Sequence, residues 1–275
     1  MNFEIDRKLW ISHSAISDFE RCPRLYYLRN LYRDPKTNHR VQIVDPYLTL
    51  GMVVHRTIEE ISKLPEEKRL DALLVERFER RWQFYAGKKG GFVSLEEEES
   101  FKKRGLGMIK KFENSRIVKN QNYRLGEELP KVRLFREEDL ILVGNIDWIE
   151  ILPNGKLHII DFKTGRTEEN EDSLQLPIYL ILGHYYCKKP IEKVSYWYLD
   201  KEEEPVAIAL NSIQTYIPII REKALTIKKA IKDNNLICKS SAGKCFKCEK
   251  YETIISNKAE FVGYDPEMNR DLYLV

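Results

Sequence analysis

Asp147, Asp161 and Lys163 lie in a stretch that alternates like two β-strands, and together they could bind a divalent cation and act on a phosphate. In Ile159-Ile160-Asp161-Phe162-Lys163, an extended strand sends Asp161 and Lys163 to the same face. Asp147 lies on the preceding strand, and Pro153-Asn154-Gly155 between them reads as a hairpin turn. The turn decides the chemistry. A two-residue loop pairs Asp147 with Phe162 and sends the carboxylates to opposite faces. A three-residue loop with Gly155 left-handed, or a five-residue loop, pairs Asp147 with Asp161. The three-residue register is the expected one. Carboxylates so opposed repel and raise each other's pKa, a penalty that Mg²⁺ or Mn²⁺ removes. Lys163 beside them is suited to stabilise an attacking water and the charge growing on a phosphate oxygen. The competing reading is an ordinary hairpin with Asp and Lys on its solvent face.

The cysteines offer a second kind of chemistry. Cys245 and Cys248 form a C-x-x-C pair, a spacing that lets two thiolates grasp one metal from a tight turn. Cys238 precedes the pair and Cys22 lies far upstream. Cys187, following two tyrosines late in a predicted helix, reads as a buried thiol.

The elements that must position these residues follow from hydrophobic period. A capped helical pattern covers 12–34, with Ser12 or Ser14 as cap, and a second helix covers 48–63. Residues 66–122, rich in Glu, Lys and Arg at helical spacing, read as a helical insertion whose Glu96–Glu99 run is a solvated helix start. Strands are expected across 127–163 and at 193–199, and helices at 173–186 and 212–236. The expected fold is α/β, a mixed sheet of about four or five strands flanked by helices.

With 275 residues, 43% of them apolar, the chain can bury one sizeable core, and it reads as a single domain over 1–275. A net charge of +3 neither demands nor excludes a nucleic-acid partner. The opening MNFEIDRKLW has no apolar run of a secretory signal, no stretch is long enough for a membrane span, and a cytoplasmic location is expected. No G-x-x-x-x-G-K-[ST] loop is present, so any helicase motor is a separate protein.

Four motifs in order carry a resemblance: Gly51 to His55, Gly144 to Asp147, Asp161 to Lys163, and Gln175 to Tyr179. In this the chain resembles the PD-(D/E)XK nuclease superfamily, and most nearly its RecB-like branch, which includes the nuclease domains of recombination helicase–nucleases and CRISPR-associated exonucleases. The resemblance implies a restriction-endonuclease-like α/β core. It also implies a metal held by His55, Asp147, Asp161 and the Phe162 carbonyl, with Lys163 acting on the attacking water and Gln175 and Tyr179 lining the site. Without it, His55 would read as the i,i+4 partner of Glu59, Tyr179 as core and Gln175 as surface. Glu127 and Glu128 stand where relatives often carry a further glutamate.

The implied activity is a metal-dependent DNA nuclease, an exonuclease on single strands or duplex ends serving repair, recombination or CRISPR adaptation. A catalytically silent DNA-binding scaffold is the alternative. The RecB-like branch further implies an iron–sulfur cluster on Cys22, Cys238, Cys245 and Cys248, with the 237–275 tail packed on the N-terminal helix. Zinc suits the same thiolates. Here the third C-terminal cysteine precedes the close pair, which departs from the branch's usual order. Lys88-Lys89, Lys102-Lys103-Arg104 and Lys110-Lys111 are candidates for a strand path, and Trp82, Phe84 and Tyr85 for base stacking, against a charged helix surface with buried aromatics.

Overall fold

The computed structural model describes residues 8–69, 73–123 and 129–275; Glu127 and Glu128 lie outside them. After β1 (Leu9–Ile11), Ser12 caps α1 (His13–Arg21) by accepting from the Ala15 amide. The single helix expected over 12–34 is broken at Cys22-Pro23, because proline supplies no amide to continue the ladder. Beyond it lie α2 (Pro23–Tyr26) and a π-helical turn over Tyr27–Leu31. A strand absent from the sequence reading, β2 (Arg40–Ile43), leads into α3 (Pro46–Ser62), capped by Asp45.

The stretch that follows is helical: α4 (Glu66–Arg69), α5 (Leu74–Phe84), a 3₁₀ turn over Gly87–Gly90, α6 (Leu95–Asn114) and α7 (Arg116–Lys119). Glu98 corrects the picture of a wholly solvated acidic run. It is buried, accepts from Trp82 Nε1 and the Gly87 amide, and ties α6 to α5.

Next come β3 (Lys131–Phe135), β4 (Leu140–Val143), β5 (Trp148–Ile151) and β6 (Leu157–Lys163). They are followed by α8 (Gln175–Tyr186), β7 (Ile191–Tyr198), β8 (Val206–Ala207), α9 (Ile213–Lys232), α10 (Phe246–Ile255), β9 (Glu260–Asp265) and β10 (Arg270–Leu274). The one sheet of about four or five strands is replaced, among the described residues, by three sheets in the orders β1-β4-β3, β2-β10-β9 and β5-β6-β7-β8. Residues 144–147 interrupt the ladder between β4 and β5, and the tail, left unassigned by its pattern, pairs with β2.

The four-stranded sheet is mixed and buried on both faces. Ile160, Phe162 and Trp197 pack under α3, α5 and α6, while Leu157, Ile159 and Tyr196 pack against α1, α8 and α9. Helix α8 crosses between the parallel neighbours β6 and β7 and is apolar around most of its circumference, as a helix between layers must be. No described helix is long and apolar enough to cross a membrane.

Three cross-strand residues form a buried polar chain within this sheet. Glu150 Oε1 lies 2.6 Å from His158 Nδ1, His158 Nε2 lies 2.7 Å from Ser195 Oγ, and Asn120 Nδ2 donates to Glu150 Oε2. Burial works against the Glu150 charge, but His158 and Asn120 hold its carboxyl below the usual range. A carboxylate with a depressed folded pKa contributes its stability above its unfolded value and loses it as pH falls through the folded one. Glu150→Gln is therefore expected to cost roughly 1–3 kcal/mol at neutral pH in urea denaturation, with a deficit that narrows in acid. A deficit independent of pH would contradict the charge pairing.

Candidate active site

The hairpin joining β5 and β6 has the three-residue form. Trp148 faces Ile160 and Ile151 faces Leu157, Leu152 and Lys156 close the loop, and Gly155 is left-handed at φ 79°. Continuing that register sets Asp147 opposite Asp161. Asp147 Oδ2 accepts from the Phe162 amide at 3.0 Å, which holds its carboxylate against the β6 strand.

Strand alternation turns Asp161 and Lys163 toward α8, and α8 returns two side chains to them. Gln175 Nε2 donates to Asp161 Oδ1 at 2.8 Å, its Oε1 accepts from Lys163 Nζ, and Tyr179 Oη lies 3.4 Å from Gln175 Nε2. His55 arrives from α3 on the other side, and its partner is Asp147, not Glu59: Nδ1 lies 3.2 Å from Asp147 Oδ1, while Glu59 pairs with Lys63. Two motif glycines permit these approaches. A Cβ on Gly144 would fall 2.8 Å from Leu182 and 3.3 Å from the Tyr179 ring, and one on Gly51 would fall 3.1 Å from Thr164 Oγ1.

Charge is concentrated here in a partly to fully buried setting. Burial pushes the Asp161 carboxyl up to about 7, aided by Asp147 and opposed by Lys163 and His55. For His55, burial opposes the cation, yet Asp147, as charge and hydrogen-bond acceptor, pushes the imidazole up to about 9. For Lys163, burial again opposes the cation, while Asp161 and Glu169 push the ammonium up to about 12. Asp161 Oδ2 is buried without a hydrogen bond of its own and forms an ion pair with the Lys163 ammonium at 3.1 Å. Carboxylate oxygens, an imidazole and an orphaned buried acceptor fit a hard divalent cation.

A model of the PD-(D/E)XK nuclease superfamily matches residues 10–252. The chain belongs to the PD-(D/E)XK nuclease superfamily. Members are metal-dependent nucleases that generally use Mg²⁺ or Mn²⁺, and the α/β architecture accords with their fold. No curated protein sequence matches the chain.

Around this PD-(D/E)XK site the structure adds groups that the sequence reading missed. Glu169, in the loop after β6, holds Lys163 Nζ at 3.0 Å and is itself fixed by its amide bonding Tyr198 Oη. Arg104 of α6 reaches Asp200 at 2.9 Å, and Arg166 shares that carboxylate at 3.2 Å. No motif marks these residues; the acidic loop between Lys163 and Gln175 was the available signal. Of the proposed base-stacking trio, only Phe84, 42% exposed, keeps an accessible ring. Trp82 and Tyr85 are buried core, and Lys89 Nζ sits over one face of the Phe84 ring at 3.1 Å. Of the basic clusters, Lys88 is paired with Glu260 and Lys111 with Glu203.

The second candidate centre lies where α2 meets α10. The Sγ atoms of Cys22, Cys238, Cys245 and Cys248 all lie within 4.8 Å of one another, and among the described residues no other set of three or more ligating side chains converges so tightly. His55, Asp147 and Asp161 do not bring three ligand atoms so close together. Cys22 and Cys248 are buried among Leu25, Leu28 and Tyr251, and Arg24 bonds Glu252 through two nitrogens across the same junction. An all-thiolate set of four fits a soft metal centre. Cys187 stands apart and is half-buried rather than buried, because it caps the exposed end of α8.

Asp161, with its raised folded pKa, favours the folded state below its unfolded value and loses that contribution as pH rises through about 7. His55, raised to about 9, loses its contribution in the same direction. The thermal midpoint of metal-free protein should fall between about pH 5 and pH 8. Mn²⁺ should restore it at the higher pH, and Asp161→Asn should blunt both effects. A midpoint flat in pH and indifferent to Mn²⁺ would contradict the buried charge.

Proposed function

We propose that this chain is a metal-dependent deoxyribonuclease that hydrolyses phosphodiester bonds in single-stranded DNA or at duplex ends, in the manner of the RecB-like branch. The observation that carries the reading is the convergence of His55, Asp147 and Asp161 on one side of a hairpin with Lys163 beside them. His55, Asp147, Asp161 and the Phe162 carbonyl would hold the divalent ion. When bound, that ion supplies Lewis-acid charge at the phosphate.

The remaining work falls to the chain's own groups. Lys163, kept cationic by Asp161 and Glu169, orients the attacking water and stabilises negative charge on a phosphate oxygen. Gln175 bonds both Lys163 and Asp161, which fixes the ammonium relative to the carboxylate and limits its motion during reaction. Tyr179, raised far above the ordinary tyrosine pKa by burial and the two aspartates, stays a neutral hydroxyl that backs Gln175. Any strand-separating motor is a separate partner.

For the cysteine site we propose an iron–sulfur cluster, with zinc as the alternative occupant, held by Cys22, Cys238, Cys245 and Cys248. Its role is structural. It staples the helix before the site to the tail after it, next to β2, which leads into the His55 helix.

Purified protein with Mn²⁺ is expected to shorten end-labelled single-stranded DNA, and Asp161→Ala or Lys163→Ala to reduce the rate by roughly 10²-fold or more. Equal activity in wild type and Asp161→Ala would point to a contaminant. Binding without cleavage by the wild type would favour the scaffold reading. Anaerobic preparations should be coloured and contain iron and sulfide; a colourless, iron-free preparation containing zinc would replace the cluster with a zinc site.

A further inference from the structure

Positive charge outside the site is unevenly compensated. Among the described residues ten arginines reach a carboxylate; Arg33, Arg40 and Arg270 are among those that do not, although three carboxylates lie in the same region. Asp18 is engaged by Arg29 and Asn30, Asp265 by Arg56 and Tyr85, and Asp271 by Thr37 and His39. Among the described residues, no ion pair involves the three arginines. Their polar contacts are one bond from Arg270 Nη1 to Gln42 Oε1 at 2.8 Å and one from Arg33 Nη1 to the Tyr32 carbonyl at 3.3 Å.

The placement of two of them is unfavourable for an isolated protein. Arg40 and Arg270 are direct cross-strand partners in the parallel pair β2–β10, so their side chains leave the same face of the sheet as near neighbours; Asp265, Arg270's partner on β9, gives its carboxylate to Arg56 and Tyr85. Like charges directly opposite one another destabilise a sheet. Both Nε atoms are buried without an acceptor. Burial weakens the charged forms of all three, reinforced at Arg40 by Arg33, at Arg33 by Arg270, and at Arg270 by Arg40 against an opposing pull from Asp265. Guanidiniums in this state match the planar, bidentate recognition of a phosphate oxygen pair.

We propose that Arg33, Arg40 and Arg270 form a phosphate-binding site that grips the backbone of the substrate strand away from the scissile bond. The inference rests on the nuclease reading for the identity of the strand. Strand β2 runs directly into α3, the helix that presents His55, so a backbone held there would be registered against the active site through one rigid connection. The arginines contribute affinity and alignment and take no part in bond cleavage.

The test compares wild type with Arg40→Met in the full chain, without divalent metal, using fluorescence anisotropy of a labelled single-stranded oligonucleotide across a salt series. Arg40→Met is expected to weaken binding by about 10-fold and to reduce the salt slope by about one counterion. Inorganic phosphate should raise the thermal midpoint of the wild type but not of the variant. In phosphate-free buffer the variant should be at least as stable as the wild type, because the repulsion is gone. Arg33→Ala, at an exposed position, carries the same binding test should Arg40→Met fail to fold.

Hydrolysis of bis(p-nitrophenyl) phosphate with Mn²⁺, a diester without flanking phosphates, should be unchanged in both variants. Unchanged oligonucleotide affinity in both variants would overturn the proposal, as would equal stabilisation of wild type and Arg40→Met by phosphate. Stabilisation by phosphate with no change in oligonucleotide binding would overturn the strand assignment, leaving a site for a free anion. A wild type that fails to hydrolyse the small diester would instead count against the nuclease reading and leave the anion result standing.

Discussion

Two carboxylates held side by side at the buried end of a hairpin define this molecule. Asp147 is fixed by the Phe162 amide, and Asp161 is fixed by the strand that carries it. Their repulsion is met by a ring of donors from three directions: His55 from α3, Gln175 from α8, and Lys163 from the same strand. One acceptor oxygen of Asp161 still lacks a hydrogen bond. The folded chain tolerates that arrangement only because the layers around it are large and apolar, with Phe162 and Trp197 on one face of the sheet and Ile159 and Leu182 on the other. The unfavourable contact and the stable scaffold are two parts of one design, in which strain at the site is carried by packing elsewhere.

Much of this was legible in the sequence because local chemistry determines it. Pro153-Asn154-Gly155 marks a turn and favours its three-residue form, and a turn of that length sets the register that brings Asp147 opposite Asp161. The spacing of Gln175 and Tyr179 places them on one helical face whatever surrounds the helix. What escaped was set by distant contacts. The ladder break between β4 and β5 and the pairing of β10 with β2, more than two hundred residues away in sequence, have no local pattern. Glu98 looked like its exposed neighbours until Trp82 and Gly87 came to lie against it. Trp82 and Tyr85 looked available for stacking, but α5 uses that face as core. Glu169 sits in a polar loop, where an acid is ordinary unless a lysine is known to face it.

The cysteine site and the carboxylate site are linked by the chain path. Cys22 interrupts the N-terminal helix, β2 follows, and α3 carries His55, while the tail returns Cys245 and Cys248 to Cys22 and lays β10 along β2. A centre that draws the four thiolates together therefore also fixes the strand from which the His55 helix departs. Loss of that centre would loosen the imidazole's approach without touching the carboxylates.

The account turns on whether the acidic pair and the imidazole share one ion. A crystal structure of the protein with Mn²⁺, read through the anomalous signal of the metal, tests this directly. The account predicts a single strong peak bounded by Asp147, Asp161 and His55, with Asp161 Oδ2 turned toward it and the Lys163 ammonium alongside. A peak elsewhere, or none at saturating Mn²⁺ with Asp161 still engaged only by Lys163 and Gln175, would contradict it.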